Sequence, residues 1–138
     1  MIYSAFEIYY SSVFMSQSVF YFICFWWLLS WLPPLKLRFK SPFPYWAMTI
    51  APIIFINAKY PDIPEWVEKH EMRHVWQQRI ISPALMLLLY LLSFIVLYIW
   101  FLFKERNLRK AYNKAYFYIP FEIDARCHGG WYPEQKCI

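Results

Sequence analysis

The sequence predicts an α+β fold attached to a membrane. The expected parts are an N-terminal transmembrane helix, a short β-hairpin or small sheet, a polar helix with a His-Glu-x-x-His pattern and a second, embedded apolar helix. Three observations carry this reading. Hydrophobic residues make up 60% of the 138 and Phe, Trp and Tyr 24%, against 17% charged, a balance too apolar for disorder or for an ordinary soluble surface. The charges stand at the ends of two long apolar runs. Between those runs the pattern changes from alternation to helical spacing. The length suits one compact domain, and two glycines exclude collagen-like sequence, flexible linkers and a glycine-rich phosphate loop.

No charge occurs between Glu7 and Lys36. A helix from Val13 to Leu32, closed by Pro33-Pro34, would be about 30 Å long and would cross the hydrocarbon layer. It lacks a basic start and a small-residue cleavage site, so residues 1–34 are expected to form a retained membrane anchor. Residues 35–138 are expected to form the second unit. Leu35 to Lys40 alternates apolar and basic, as in a half-exposed strand, and Ser41 to Pro44 reads as a turn. Trp46–Ile50 and Ile53–Asn57, divided by Pro52, read as short strands. A helix follows to Ser82, with Asp62 as its cap and Pro64 in its first turn, and Pro83 breaks or kinks the chain. The second uncharged run, Ile80 to Phe103, contains an apolar helix at 84–103. Lys104 to Tyr118 reads as a basic, tyrosine-rich helix suited to a membrane surface, and a short helix with an irregular tail completes the chain.

The net charge of +5 points to anionic lipid headgroups rather than nucleic acid, because the basic residues flank apolar stretches. Of the three cysteines, Cys24 lies in an apolar run and reads as a small buried hydrophobe, whereas Cys127 and Cys137 could bridge in an oxidising compartment.

The chemistry is concentrated in His70-Glu71-Met72-Arg73-His74. Two imidazoles four residues apart on a helix point from one face and can share a zinc ion, while the intervening glutamate can take a proton from water. Zinc of this kind normally has a third protein ligand, for which Glu122, Asp124, Cys127 and His128 are candidates. Glu122 is preferred, on a short helix after Pro120 that turns Asp124 elsewhere, and His128 is second. Gln77 falls on the ligand side of the helix and could hydrogen-bond to a ligand; Arg73 points away. His128, Tyr116 and Tyr118 are the candidate donors to a developing oxyanion.

His70-Glu71-x-x-His74-Val75-Trp76-Gln77-Gln78, with the later Tyr116-x-x-Ile119-Pro120-Phe121-Glu122-x-Asp124-Ala125, resembles the small bacterial and phage proteins of minimal gluzincin type. The resemblance spans about Ile50 to Ala125 and departs from the family pattern at Ile119, at Asp124 and in the apolar segment between the motifs. It implies a zincin-like domain over 35–138, a zinc-dependent peptide hydrolase, Glu122 as third zinc ligand and Ile53–Asn57 as the strand lining the substrate cleft.

Zinc can be shared only within one compartment. His70 and His74 precede the second apolar run and Glu122 follows it, so a single crossing by 84–103 would separate the ligands. Lys36, Arg38 and Lys40 after the first run, and Lys104, Arg106, Arg109, Lys110 and Lys114 after the second, all favour the cytoplasmic side of an inner or plasma membrane. The enzyme reading therefore expects 84–103 to be embedded on one side, with a second crossing as the alternative. The competing function classes are a small membrane structural or interaction protein, such as a phage-encoded pore or envelope component, and an inactive zincin that recruits a partner through a strand.

Overall fold

The computed structural model describes residues 2–42 and 45–130, with side chains from residue 15 onward. It is α+β: five helices and one three-stranded mixed sheet. Helix α1 (Ile2–Leu29) leads into β1 (Leu35–Phe39), β2 (Ala47–Ile50) and β3 (Ile53–Asn57), followed by α2 (Glu65–Ile81), α3 (Pro83–Glu105), α4 (Leu108–Phe117) and α5 (Pro120–His128). The residues 43–44 of the expected turn, the expected irregular tail and Cys137 lie outside the described residues.

The sheet order is β1-β3-β2, with β1 parallel and β2 antiparallel to the central β3. Ile54 and Ile56 of β3 turn toward α2 and are buried with Ala51 and Val75, and Ala47, Ile63 and Met72 pack around them. Each large aliphatic side chain removed from water in this way contributes on the order of 1.5–3 kcal/mol. Gln78, 1% exposed, fixes α2 to the sheet. Its Oε1 accepts from the Ala51 backbone N–H (2.8 Å) and its Nε2 donates to the Thr49 carbonyl (3.1 Å).

The helix boundaries have local causes. Asp62 does not cap α2; Pro64 occupies the N-cap position, with no side-chain cap. Ser82 separates α2 from α3. Its N–H donates to the Gln78 carbonyl (3.0 Å), closing α2, and its Oγ accepts from the Leu85 N–H (3.2 Å), opening α3. The expected helix over Lys104 to Tyr118 is interrupted, because Arg106 adopts φ +50° and Asn107 then caps α4 through its Oδ1 to the Lys110 N–H. Pro120 begins α5, the short helix expected after it.

Among the described residues α3 is the helix long and apolar enough to cross a membrane, about 34 Å by its helical rise. The apolar part of α1 whose side chains are described, Met15–Leu29, is shorter. Cys24 there is half-buried, not buried, and free; Cys127 is disulfide-bonded. The lower end of α1 is tied to the domain: Trp26 Nε1 donates to the Ala51 carbonyl (3.0 Å) and Trp27 Nε1 to that of Arg79 (2.7 Å). The Arg79 guanidinium answers by donating to the Ser30 and Leu32 carbonyls (2.9 and 2.8 Å), groups that a helix end leaves unsatisfied.

After α3 the chain folds back. The Tyr112 ring lies 5.4 Å from that of Phe94, Tyr118 lies 5.4 Å from Phe101, and Lys114 pairs with Glu105. This return brings α5 against α2 and sets Glu122 beside Tyr90, about two turns into α3 rather than beyond its far end.

Replacing Gln78 with alanine leaves two buried backbone groups unpaired and opens a void. The expected loss is about 2–3 kcal/mol, read as a lower denaturant midpoint of the purified protein.

Candidate metal centre

Four of the six buried residues of α2 are polar. Glu71, His74, Gln77 and Gln78 are each at most 7% exposed, an unusual concentration for a helix packed against a sheet. Each finds a defined partner. Thr49 Oγ1, on β2, donates to Glu71 Oε2 at 2.7 Å. The Gln77 amide is oriented by its surroundings, since its Nε2 donates to the Phe121 carbonyl (3.0 Å) and to Asp124 Oδ2 (2.7 Å). Its Oε1 therefore faces His74 Nδ1 at 2.8 Å and accepts from it. With its proton on Nδ1, a neutral His74 presents the Nε2 lone pair to the interior.

That lone pair meets two other donors. His74 Nε2 is 3.2 Å from His70 Nε2, and Glu122 places Oε2 3.4 Å from His70 Nε2 and Oε1 3.4 Å from His74 Nε2. Ligands bound tetrahedrally at about 2.0–2.1 Å lie about 3.3 Å apart; the two imidazole nitrogens meet that spacing with each other, and each meets it with a different oxygen of Glu122. Two imidazole lone pairs and a carboxylate converging in a buried space repel one another unless a cation or proton lies between them. These residues can therefore hold a metal ion. The Nδ1 of His70 is buried with no hydrogen-bond partner, so this ring is positioned by packing and by its Nε2 contacts.

Glu122 is supported from several sides. The Tyr90 hydroxyl, on α3, donates to Oε1 at 2.9 Å, and Arg126 Nη1 stands 3.8 Å from Oε2. Burial alone would raise the Glu122 carboxyl, but where protons rather than an ion lie between the three groups, hydrogen bonds from His70 and His74 and their charge hold it well below the usual carboxylate range. Glu71 moves the other way: burial raises it, against opposing contributions from His74 and Thr49. Helix α5 can approach this closely because residue 129 is glycine. A Cβ there would stand 3.0 Å from the Trp66 carbonyl oxygen and 3.3 Å from His70 Cβ.

The other candidates divide clearly. Asp124 stays out of the ligand triad, yet it does not simply point away: Arg73 Nε donates to Asp124 Oδ2 (2.7 Å) and Nη2 to Oδ1 (3.1 Å), and the same carboxylate receives Gln77. Arg73 thereby secures α5 on α2. His128 is exposed and its Nδ1 lies 2.9 Å from the Asp124 carbonyl, away from the triad. Tyr118 is also exposed and packs on Phe101 and Phe117. Tyr116 lines the cavity beside the triad, and burial with the nearby Glu122 charge raises its phenol above the usual value. It therefore remains a proton donor at neutral pH.

The cavity has a volume of about 360 Å³ and is mainly apolar, with Met48, Ile50, Leu87 and Phe94 among its walls. Its strand is β2, at the sheet edge, and not the expected Ile53–Asn57, which forms the central β3. Tyr45 and Tyr112 close one side with their hydroxyls 3.1 Å apart, and that hydrogen bond, with burial, pushes Tyr45 up to about 12. Thr49 and Tyr90 were not singled out from the sequence. One is an unremarkable strand residue; the other stands in an apolar helix, where tyrosine usually reads as an interfacial anchor.

No family model, curated protein or solved structure matches the chain.

Changing Tyr90 to phenylalanine keeps the ring and removes the hydrogen bond to Glu122. Metal affinity, titrated against a competing chelator, should fall about tenfold, the usual scale for a group that orients a ligand; Glu122→Ala should abolish stoichiometric metal.

Proposed function

We propose that the protein is a zinc-dependent peptide hydrolase of minimal gluzincin type, acting on peptide or protein segments close to a membrane. The observation that carries this reading is the convergence of His70, His74 and Glu122 within 4.8 Å, with Glu71 fixed beside them. Two histidines and a glutamate are a usual donor set for catalytic zinc, which leaves a position open. Bound there, zinc supplies Lewis-acid polarisation of the scissile carbonyl and of the attacking water.

The protein's own groups do the rest. Thr49 holds Glu71 Oε2, leaving Oε1 to accept the proton of the water and to return it to the leaving amine. Burial raises the basicity of this carboxylate, as suits a group that must take a proton at neutral pH. Gln77 fixes the His74 tautomer and Tyr90 fixes Glu122. Tyr116, alone of the three donor candidates in lining the cavity, supplies the hydrogen bond to the developing oxyanion. The apolar cavity walls favour an apolar stretch of substrate.

The membrane reading is that α1 is a transmembrane anchor and that α3 is embedded from the same side as the metal centre, with the catalytic region cytoplasmic. Its support is the apolar surface of both helices and the return of α4 along α3. That return lets Glu122 meet the histidines without a second crossing.

Changing Glu71 to glutamine should abolish hydrolysis of an apolar peptide library while leaving one zinc per chain. Tyr116→Phe should lower kcat roughly 100-fold with zinc retained. Absence of zinc from wild-type protein purified without chelators, with helix content intact, would leave the structural-protein reading in its place.

A further inference from the structure

A sheet packed against one helix normally turns apolar side chains to the helix and polar ones to water. The central and second strands obey this on the α2 side, where Ile54, Ile56 and Ala47 contribute to the core. The first strand is inverted. Its register pairs Lys36 with Ile54 and Arg38 with Ile56, so both basic side chains stand on the α2 side, and Lys36 pairs with Glu68. Leu35, Leu37 and Phe39 take the opposite face, beside Ile53 and Phe55, with the Phe39 and Phe55 rings 5.7 Å apart. On the far side of β3, Met48 and Ile50 pair with Phe55 and Ile53. One face of the sheet thus gathers seven apolar side chains and no charge, and Leu35, Leu37 and Met48 remain 60%, 47% and 51% exposed.

The immediate surroundings of this face identify what it rests on. It continues into the end of α1, where Trp31 and Leu32 are both more than half exposed, three residues before Leu35. Trp26, Trp27 and Trp31 collect at that end, and the Arg79 guanidinium lies 6.0 Å from the Trp31 ring. Tryptophans mixed with arginine at the end of an apolar helix mark the headgroup level of a bilayer. The inverted strand fits the same boundary, since its apolar side chains meet acyl chains while its two cations stay in water. We propose that the outer face of the sheet rests on the lipid bilayer, with Leu35, Leu37, Phe39, Met48 and Phe55 at the boundary between headgroups and acyl chains. This docking uses none of the proposed metal ligands, although Met48 also borders the cavity beside them, and it adds a third membrane contact to those proposed above for the two helices.

The test uses the full chain in phosphatidylcholine–phosphatidylglycerol vesicles, with Cys24 replaced by serine. Leu37→Cys, Met48→Cys and Arg38→Cys are each labelled with a small fluorophore, and Leu35→Cys is read in parallel so that failure of one variant to fold leaves the comparison intact. Brominated acyl chains should quench labels at 35, 37 and 48 several-fold more than the label at 38, and aqueous iodide should show the reverse order. Equal quenching at 37 and 38 by both agents would overturn the proposal. Dilution below one chain per vesicle separates the occupants: shielding that persists supports the bilayer, and shielding that disappears assigns the face to a second copy of the chain and overturns it.

Discussion

The carboxylate of Glu122 stands 3.4 Å from the Nε2 atoms of both His70 and His74, and it comes from a helix that follows α2 in the chain only after the whole α3–α4 hairpin. Holding a charged group in that buried position requires that desolvation be offset by hydrogen bonds and opposite charge. The molecule supplies these from three helices: the imidazoles from α2, the Tyr90 hydroxyl from α3 and the Arg126 guanidinium from α5 itself. The packing of α5 on α2 serves the same end. Gly129 permits the close approach, and the pair of hydrogen bonds between Arg73 and Asp124 secures it.

The position of Glu71 depends on a different element. Thr49 reaches it from the edge strand, and Gln78 holds that strand to α2 one helical turn and more beyond His74. A small sheet of three strands thereby supports Glu71, while the helices support His70, His74 and Glu122. Separating the two jobs lets the cavity open between β2 and α3, where its apolar walls adjoin the apolar surface of the molecule.

The sequence made the helix of α2, the three strands and the cluster of His70, His74 and Glu122 legible because each follows a local rule. His70 and His74 share a face by helical periodicity, and Pro120 marks the start of the helix that carries Glu122. The groups that orient these residues were less visible. Tyr90 lies inside an apolar run whose aromatic content hides it, and Thr49 gains its role only from the pairing of β2 with β3. Arg73 has no partner until α5 folds onto α2. The break at Arg106 escaped for a related reason: a residue with φ +50° need not be glycine, so no composition signal separates α3 from α4. The strand lining the cavity was misplaced because strand order β1-β3-β2 puts the strand next to α2 in sequence at the centre of the sheet, not at its edge.

Ser82, the single residue between α2 and α3, has φ +86° and ψ 145°, a backbone conformation that L residues seldom adopt. It acts as an elbow with two unequal arms. A swing of about 5° there carries the far end of α3, about 34 Å away along the helix, through about 3 Å, but moves Tyr90, about 10 Å away, by less than about 1 Å. If α3 is embedded as proposed, its outer part can follow a bilayer that thins or thickens while the hydroxyl on Glu122 hardly shifts, which would insulate the buried triad from changes in the surrounding lipid.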